Sequence, residues 1–356
     1  MSATITERRC SGLQWLTVTG PRDEAFRELG RYAAAEIRAV LDELPERGPL
    51  QRYAATPGGR AALAAGLREA RAAHPRELAE LAALADGAQL ELDALLLANL
   101  RGDLGGGDGT GCSDIGWRRE RSYVAHNEDA APALHGRLTL LTLIIDGDAP
   151  VTAQWYPGFL PSNAAVVTGH GLVCTITHIP ATPAAAAGRH FVARALQQSR
   201  SLDAAVAFLR SHPSAGAFGY TLGEFSTGRV ASIEAVAGRV SAVEADAARP
   251  LIWHTNHARR LEVGASTGGS AGAHLGELDE SRARGCVLDA LSPPAGEPDV
   301  GWFLSVLSDT GVYRSAVEDP LMTLCTSVAD LSAGAVTFQG RDEAPVTLPL
   351  RDLAPA

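Results

Sequence analysis

The period of apolar and polar positions changes twice along this chain, near residue 20 and again near residue 112. Leu13 to Thr19 alternates and predicts a short strand. From Arg22 to about Leu100 the spacing is helical, in a stretch rich in Ala, Leu, Arg and Glu. Phe26, Leu29, Tyr32, Ala33, Ile37, Val40 and Leu41 follow a 3.6-residue period, which predicts one amphipathic helix ended by Pro45 and Gly48. Arg60 to Ala73 and Pro75 to Gly87 predict two more helices, and Ala94 to Leu100 closes the helical half. The next stretch, Gly102 to Gly111, is dominated by glycine. Glycine loses too much backbone entropy to favour a helix or strand interior, so this stretch predicts a loop. An exposed loop of that kind can be cut with little harm to the core.

After Cys112 the pattern turns to strands: Ser122 to His126, Arg137 to Ile145, Val151 to Tyr156, Ala164 to Thr168 and Leu172 to His178. Helical segments follow at Arg189 to Gln198 and Ser201 to His212, the second opened by the N-cap signature Ser201-Leu202-Asp203. Further strands are predicted at Arg229 to Val236, Arg239 to Glu244 and Leu251 to Thr255, and further helices at Leu278 to Leu291 and Val300 to Leu307. Leu321 to Val328, Ala335 to Gln339 and Val346 to Leu350 end the chain in strands. Two groups of strands with helices between them predict stacked antiparallel sheets flanked by helices, an α+β fold. The Gly-, Ser- and Ala-rich stretch Val263 to His274 is expected to be a mobile loop.

Composition narrows the function. With 356 residues and 46% hydrophobic content, the chain can bury a large core. A net charge of -10 argues against nucleic acid as a partner. No apolar run approaches the roughly 18 residues of a membrane span, so no membrane partner is expected. Met1 to Trp15 holds no continuous apolar stretch of the secretory kind, and the cytoplasm is the expected compartment. All 31 basic residues are arginine. Without lysine there is no Walker A phosphate loop and no Schiff base. Five cysteines, an odd number with no C-x-x-C pair, indicate neither a disulfide framework nor a zinc site. Cys174 and Cys325 lie in strand-like apolar runs and Cys286 in a helical pattern, so all three are expected to be buried small hydrophobes.

Cys112 is different. Gly109-Thr110-Gly111-Cys112-Ser113-Asp114 sets it at the end of the glycine run, followed by Ala125-His126-Asn127-Glu128-Asp129. That is the layout of a hidden N-terminus, in which the chain cuts itself before a Cys that then supplies both nucleophile and base. A thiol attacking an amide needs a base, and a free α-amine on the same residue, with a reference pKa of roughly 7.7–8.0, is suitably placed. The tetrahedral intermediate needs a fixed donor, which a side-chain amide can supply. Two competing motifs are weaker. Gly264-Ala265-Ser266-Thr267-Gly268 fits the G-x-S-x-G elbow of serine hydrolases but lacks its strand and helix. His254 and His257, with His126 or His178, have no acidic residue spaced to complete a metal site. No metal and no cofactor is expected.

In this setting the chain resembles the isopenicillin-N acyltransferase-like group of N-terminal nucleophile hydrolases, which includes penicillin acyltransferases and β-alanyl-amine hydrolases. The resemblance runs from about residue 13 to 340. It is carried, in order, by Leu29-Gly30-Arg31-Tyr32, Gly111-Cys112-Ser113, Asn127-Glu128-Asp129, Tyr156-Pro157-Gly158, Gly169-His170-Gly171-Leu172 and Thr255-Asn256-His257. It implies a four-layer αββα fold cut between Gly111 and Cys112. Residues 1–111 would be the helical N-terminal fragment and 112–356 the catalytic core, the two forming one globular unit. It further implies Cys112 as nucleophile, Asn256 as oxyanion donor and Asp129 as the carboxylate that orients the new ammonium, with Asn127 and His257 beside the substrate. Two positions depart from the group: His126 stands where relatives often carry another basic residue, and Asp319-Pro320 stands where a late arginine is usual, with Arg314 or Arg259 as conceivable replacements.

The resulting expectation is an amidohydrolase or N-acyltransferase that works through a Cys112 thioester. Its partners would be a small-molecule amide or acyl-thioester substrate and its own cleaved N-terminal fragment. Arg118, Arg119 and Arg121 form either a solvated hairpin or a contact for an anionic substrate group, with Arg119 as the candidate, because guanidinium pairs bidentately with carboxylate or phosphate. The alternative from another class is an inactive small-molecule-binding protein on the same scaffold.

Overall fold

A computed structural model describes residues 2–104, 110–263, 271–292, 294–309, 311–316 and 320–355. Residues 105–109 of the glycine run, the 264–268 motif with Ser266, and Asp319 lie outside the described residues.

The chain opens on β1 (Thr4–Cys10) and β2 (Leu13–Gly20), an antiparallel pair. The pattern reveals only β2. β1 is a sheet edge, largely exposed, and shows no apolar alternation. Six helices follow: α1 (Arg22–Tyr32), α2 (Ala34–Glu43), α3 (Arg47–Ala55), α4 (Pro57–Ala73), α5 (Pro75–Gly87) and α6 (Leu92–Asn99). The single helix expected over the Phe26–Leu41 stripe is therefore two, broken at Ala33. Tyr32 falls at the break and is 47% exposed, while Phe26, Leu29, Ile37 and Val40 are buried. Gly48 sits inside α3 and does not end the preceding helix.

α1 and α5 touch backbone to backbone because each carries a glycine at the crossing. A Cβ on Gly30 would lie 2.1 Å from the Leu84 carbonyl oxygen, and one on Gly87 would lie 1.9 Å from that of Arg27. Gly30→Ala is therefore expected to destabilise the protein by about 1–3 kcal/mol, as overpacking does. In urea unfolding the midpoint should fall with an unchanged slope. A wild-type midpoint would mean that the helices part freely.

The second half supplies β3 (Thr110–Arg118), β4 (Ser122–Ala130), β5 (Thr139–Ile145), β6 (Val151–Trp155), β7 (Ala165–Thr168), β8 (Leu172–Ile179), α7 (Arg189–Leu196), α8 (Leu202–Ser211), β9 (Ala217–Glu224), β10 (Arg229–Val236), β11 (Arg239–Glu244) and β12 (Leu251–His254). Then come α9 (Ala271–Asp289), α10 (Val300–Leu307), β13 (Met322–Asp330), β14 (Ala335–Gly340), β15 (Val346–Pro349) and α11 (Leu350–Leu353). The end of the stretch expected to be a loop, from Ala271, is thus the start of α9. The pattern does not reveal β3 and β9. β9 is buried on both faces and interrupted by Gly219 and Gly223, so nothing alternates.

Two sheets result. One has the order β1-β2-β5-β6-β7-β8-β9-β10-β11, the other β12-β3-β4-β13-β14-β15. Pairing is antiparallel except for β2 beside β5. β1 and β2 thus build the N-terminal segment into the larger sheet, although the rest of that segment is helical. The sheets face each other across a core that includes Trp15, Leu140, Val124, Val173, Val230 and Leu324. Helices α1, α5 and α6 cover one part of the larger sheet's outer face through Phe26, Leu84 and Leu96, and α7 and α8 cover another through Val192 and Leu209. On the smaller sheet, α9 and α10 pack Leu288, Phe303 and Leu307 onto Ile115, Trp117, Tyr123 and Val328. The architecture is four-layered, αββα. Cys174 and Cys325 are buried as expected, but Cys286 is exposed, because it sits on the solvent side of α9 and not on the side that packs on the sheet. No helix among the described residues is long and apolar enough to cross a membrane.

Candidate active site

β3 and β4 run side by side in the smaller sheet, with Gly111 opposite Asp129, Cys112 opposite Glu128 and Asp114 opposite His126. Side chains alternate across a strand. Cys112, Asp114, His126 and Glu128 therefore point between the sheets. Ser113, Asn127 and Asp129 point to the helical side, as do Ile115, Tyr123 and Ala125.

The inner side holds a continuous polar chain. The Cys112 thiol lies 3.5 Å from Glu128 Oε2. Glu128 Oε1 accepts a hydrogen bond from the Tyr156 hydroxyl at 2.8 Å. The His126 ring bridges two carboxylates, with Nδ1 2.7 Å from Asp114 Oδ1 and Nε2 3.2 Å from Glu128 Oε2. All five residues are buried. Burial opposes the charge on His126, but Asp114 and Glu128 outweigh it and lift the imidazole to about 9. Burial also pushes the Tyr156 phenol upward, with the neighbouring Glu128 charge adding to the shift. One ligand atom each of Cys112, His126 and Glu128 lies within 4.8 Å of the others, a spacing that could hold a metal ion. Here the three already bond among themselves, with Glu128 as the shared acceptor.

The main chain at residue 112 is held from the other side. The Cys112 N–H donates to Asn256 Oδ1 at 2.9 Å. Arg284, on α9, donates to the Cys112 carbonyl oxygen, to Ser113 Oγ at 2.8 Å and to Asn256 Oδ1 at 2.7 Å. Glu280 anchors Arg284 one helical turn away and also pairs with Arg314. Asn256 Nδ2 donates to the His178 carbonyl oxygen at 3.1 Å, and its own N–H donates to Ser281 Oγ at 2.7 Å. Glu234 fixes the segment that follows by accepting the N–H groups of Arg259, Arg260 and Leu261. Burial works against the Glu234 charge, yet His254 and these amides hold its carboxyl down at about 2.

Asp129 flanks the Gly111–Cys112 peptide on the helical side. One oxygen accepts from Thr323 Oγ1 at 2.7 Å. The other, Oδ2, is buried without a hydrogen-bond partner among the described residues and lies 3.5 Å from where a Cβ on Gly111 would be. Burial raises the Asp129 carboxyl to about 6, against the pull of Arg284 and Arg314.

The structure thus brings Gly111, Cys112, Asp129 and Asn256 together and leaves the other expected contacts elsewhere. Asn127 turns its amide away from the thiol, donating to the Leu307 carbonyl at 2.7 Å and accepting from Thr326 at 2.6 Å. His257 bonds to Thr255 and Ser281. Arg119 lies beyond the far end of β3, about 20 Å away at strand spacing, over the Trp117 ring and beside a cavity of about 730 Å³. Of the two conceivable replacements for the late arginine, Arg314 joins the site through Glu280, while Arg259 bonds to the Trp253 carbonyl. His254 and His257 do not meet, since His254 bonds to Thr177 and Glu234. Glu128, Asp114, Tyr156 and Arg284 are the contacts that sequence reasoning misses. The only local signal is the i, i+2 spacing of Asp114 after Cys112 and of Glu128 after His126, which puts each pair on one strand face.

Beside Cys112 is a cavity with about 10 Å³ of water-accessible volume, room for one water molecule. Arg101, His178, His190 and Phe218 help to line it. Arg101 reaches it from the N-terminal segment. Asp103 ties that segment down by accepting the Arg189 N–H at 3.1 Å and the Gly216 N–H at 2.6 Å.

An αββα sandwich with a buried cysteine at the start of an inner strand is the fold class that the resemblance implied. The family model described as acyl-coenzyme A:6-aminopenicillanic acid acyl-transferase matches residues 117–342, more than half of the chain, and the chain belongs to that family. This places it in a family described by acyl transfer. Among solved structures it is similar to two variants of conjugated bile acid hydrolase from Clostridium perfringens. One is 12% identical with a TM-score of 0.45, over 68% of this chain and 93% of the other. The second is 11% identical with a TM-score of 0.42, over 67% and 93%. No curated protein sequence matches the chain.

Proposed function

We propose that this chain cuts itself between Gly111 and Cys112 and then uses Cys112 as the N-terminal nucleophile of an amidohydrolase or N-acyltransferase on a small-molecule substrate. The observation that carries the reading is the set of contacts on residue 112: a thiol on Glu128, an N–H on the Asn256 amide and a carbonyl under Arg284. A cysteine that merely filled core space would not need a carboxylate on its thiol. The partnerless oxygen of Asp129 adds support. A buried acceptor without a donor is costly, and the α-ammonium released by cleavage would supply the donor. Residues 1–111 would stay as a bound fragment, since β1 and β2 belong to the larger sheet. In the uncut chain the cavity beside Cys112 has room for about one water molecule.

The test is intact-mass spectrometry during incubation at about pH 7–8, near the reference pKa of an α-amine, followed by labelling with a thiol-directed electrophile. Two fragments meeting at 111/112, with the label on Cys112, are expected. A chain that stays whole, with a Cys112 that never reacts, would favour the inactive binding protein. For turnover, the Asn256 amide, whose oxygen accepts the residue 112 N–H, would serve as oxyanion donor through Nδ2, which in the uncut chain donates to the His178 carbonyl. Asn256→Ala should lower kcat by about 10²–10³, the usual loss for an oxyanion donor. A near-wild-type kcat would move the donor elsewhere.

A further inference from the structure

We propose that Glu128 is the base that takes the Cys112 thiol proton during self-cleavage, before any α-amine exists. The inference rests on the nucleophile role proposed for Cys112. Until the chain is cut, the nitrogen of residue 112 is an amide, whose N–H donates to Asn256. It cannot serve as a base, so the thiol proton must go to another group.

Among the described residues, a carboxylate stands in hydrogen-bond contact with Sγ. Glu128 Oε2 lies 3.5 Å away, on the same strand face and directly opposite in register. Asp129 lies on the other face, with one oxygen on Thr323. Arg284 offers only donors, and the Asn256 oxygen already accepts from Arg284 and from the amide of residue 112. The Glu128 carboxylate is also fixed in place: Tyr156 holds Oε1 and His126 holds Oε2, while Asp114 holds the other ring nitrogen of His126. Glu128 touches the reacting sulfur and is the catalytic residue of this step. His126, Asp114 and Tyr156 are positioning residues.

The step balances without an outside reagent other than water. The Sγ–H proton passes to Glu128, and the sulfur adds to the Gly111 carbonyl carbon. The tetrahedral intermediate collapses with breakage of the Gly111–Cys112 C–N bond, and the leaving nitrogen takes its proton back from Glu128. The products are a Gly111–Sγ thioester and a free α-amine. Water then hydrolyses the thioester, giving the Gly111 carboxylate and restoring the thiol. From that point the α-amine is available as base, and the demand on Glu128 ends.

Maturation and turnover should therefore respond differently to the same substitution. In the full chain, Glu128→Gln is expected to slow appearance of the fragments by about 10²–10⁴, the usual contribution of a positioned base. Turnover normalised to the cut fraction should fall by a smaller factor than the cutting rate, since the α-amine has by then replaced Glu128 as base. A merely structural role would depress both alike, and that result overturns the proposal. So does fragment appearance at the wild-type rate. A wild type that never cuts overturns this proposal together with the nucleophile reading, whereas a wild type that cuts alongside an equally fast Glu128→Gln overturns the base assignment alone. Should Glu128→Gln fail to fold, Glu128→Asp decides: it keeps the charge but draws the carboxylate back by one methylene. It is expected to slow cutting at least about tenfold, and a wild-type rate would again refute the assignment.

Discussion

Cys112→Ala is expected to remain one full-length chain and to lose amide turnover by on the order of 10⁶, the scale of removing the nucleophile from a covalent hydrolase. The loss should not come from unfolding. Glu128, which the thiol contacts, keeps Tyr156 and His126. Asn256 and Arg284 hold the main chain of residue 112, which alanine retains. Deleting one buried sulfur should cost about 1–2 kcal/mol, less than the roughly 5–15 kcal/mol by which folded proteins are stable. Intact mass, a melting curve and a product-resolved assay on a panel of N-acyl and N-β-alanyl amines check the three parts of this expectation. Fragments at 111/112, or turnover within about a hundredfold of wild type, would mean that another group is the nucleophile.

His126→Gln should produce the largest loss of stability. The imidazolium lies between the buried carboxylates of Asp114 and Glu128. Removing one partner of a buried ion pair leaves uncompensated charge and costs about 3–5 kcal/mol. The pH dependence follows from the raised pKa. Burial lowers it, but the two carboxylates lift it from 6.5 to about 9. A group raised in the folded state contributes stability that is fully present below its unfolded pKa. That contribution is lost as pH rises through the folded pKa. The gap in unfolding free energy between wild type and variant should therefore be widest below about pH 6, narrow from about pH 6.5 upward and close as pH passes about 9. Burial also raises the Cys174 and Cys325 thiols and the Tyr156 and Tyr220 phenols, which destabilise both proteins at high pH. The effect of Tyr220 cancels in the difference, whereas Tyr156 and Cys325 feel the Glu128 charge and Cys174 that of Asp114, so theirs cancels only in part. Urea titrations at a series of pH values measure the difference, and a gap that stays constant from pH 6 to 10 would show that the imidazole is neutral.

Much of the fold is legible in the residues, and the reasons are physical. α5 is bounded by Pro75 and Gly87, α8 opens on a Ser201 cap whose hydroxyl accepts the Ala204 N–H, and β5 to β8 are apolar runs buried in a sandwich. Where the pattern misleads, an environment overrides it. β1 is an exposed edge and needs no apolar face. The Phe26–Leu41 stripe is bent at Ala33, where its two halves pack as separate helices. β3 escapes notice because its inward face carries Cys112 and Asp114 in place of apolar side chains, so the alternation that marks a strand is absent from the strand that carries the candidate nucleophile.

The sequence by itself determined the helical first third, the strand-rich remainder, the candidate cysteine after the glycine run and the ordered landmarks of the family. All of these are local: periods, caps, turn residues and short motifs act over a few positions. Only the tertiary structure decided which groups meet the cysteine. Glu128 reaches it from 16 residues away by strand register, and Arg284 reaches its carbonyl from 172 residues away across a helix packed on the sheet. The same register turned Asn127 to the opposite face from Glu128, its immediate neighbour. A strand of polar residues does not announce which of its faces is buried. That choice is made by the apolar partners Val124, Ala125 and Tyr123 farther along β4, packed against the other sheet and the α9–α10 layer.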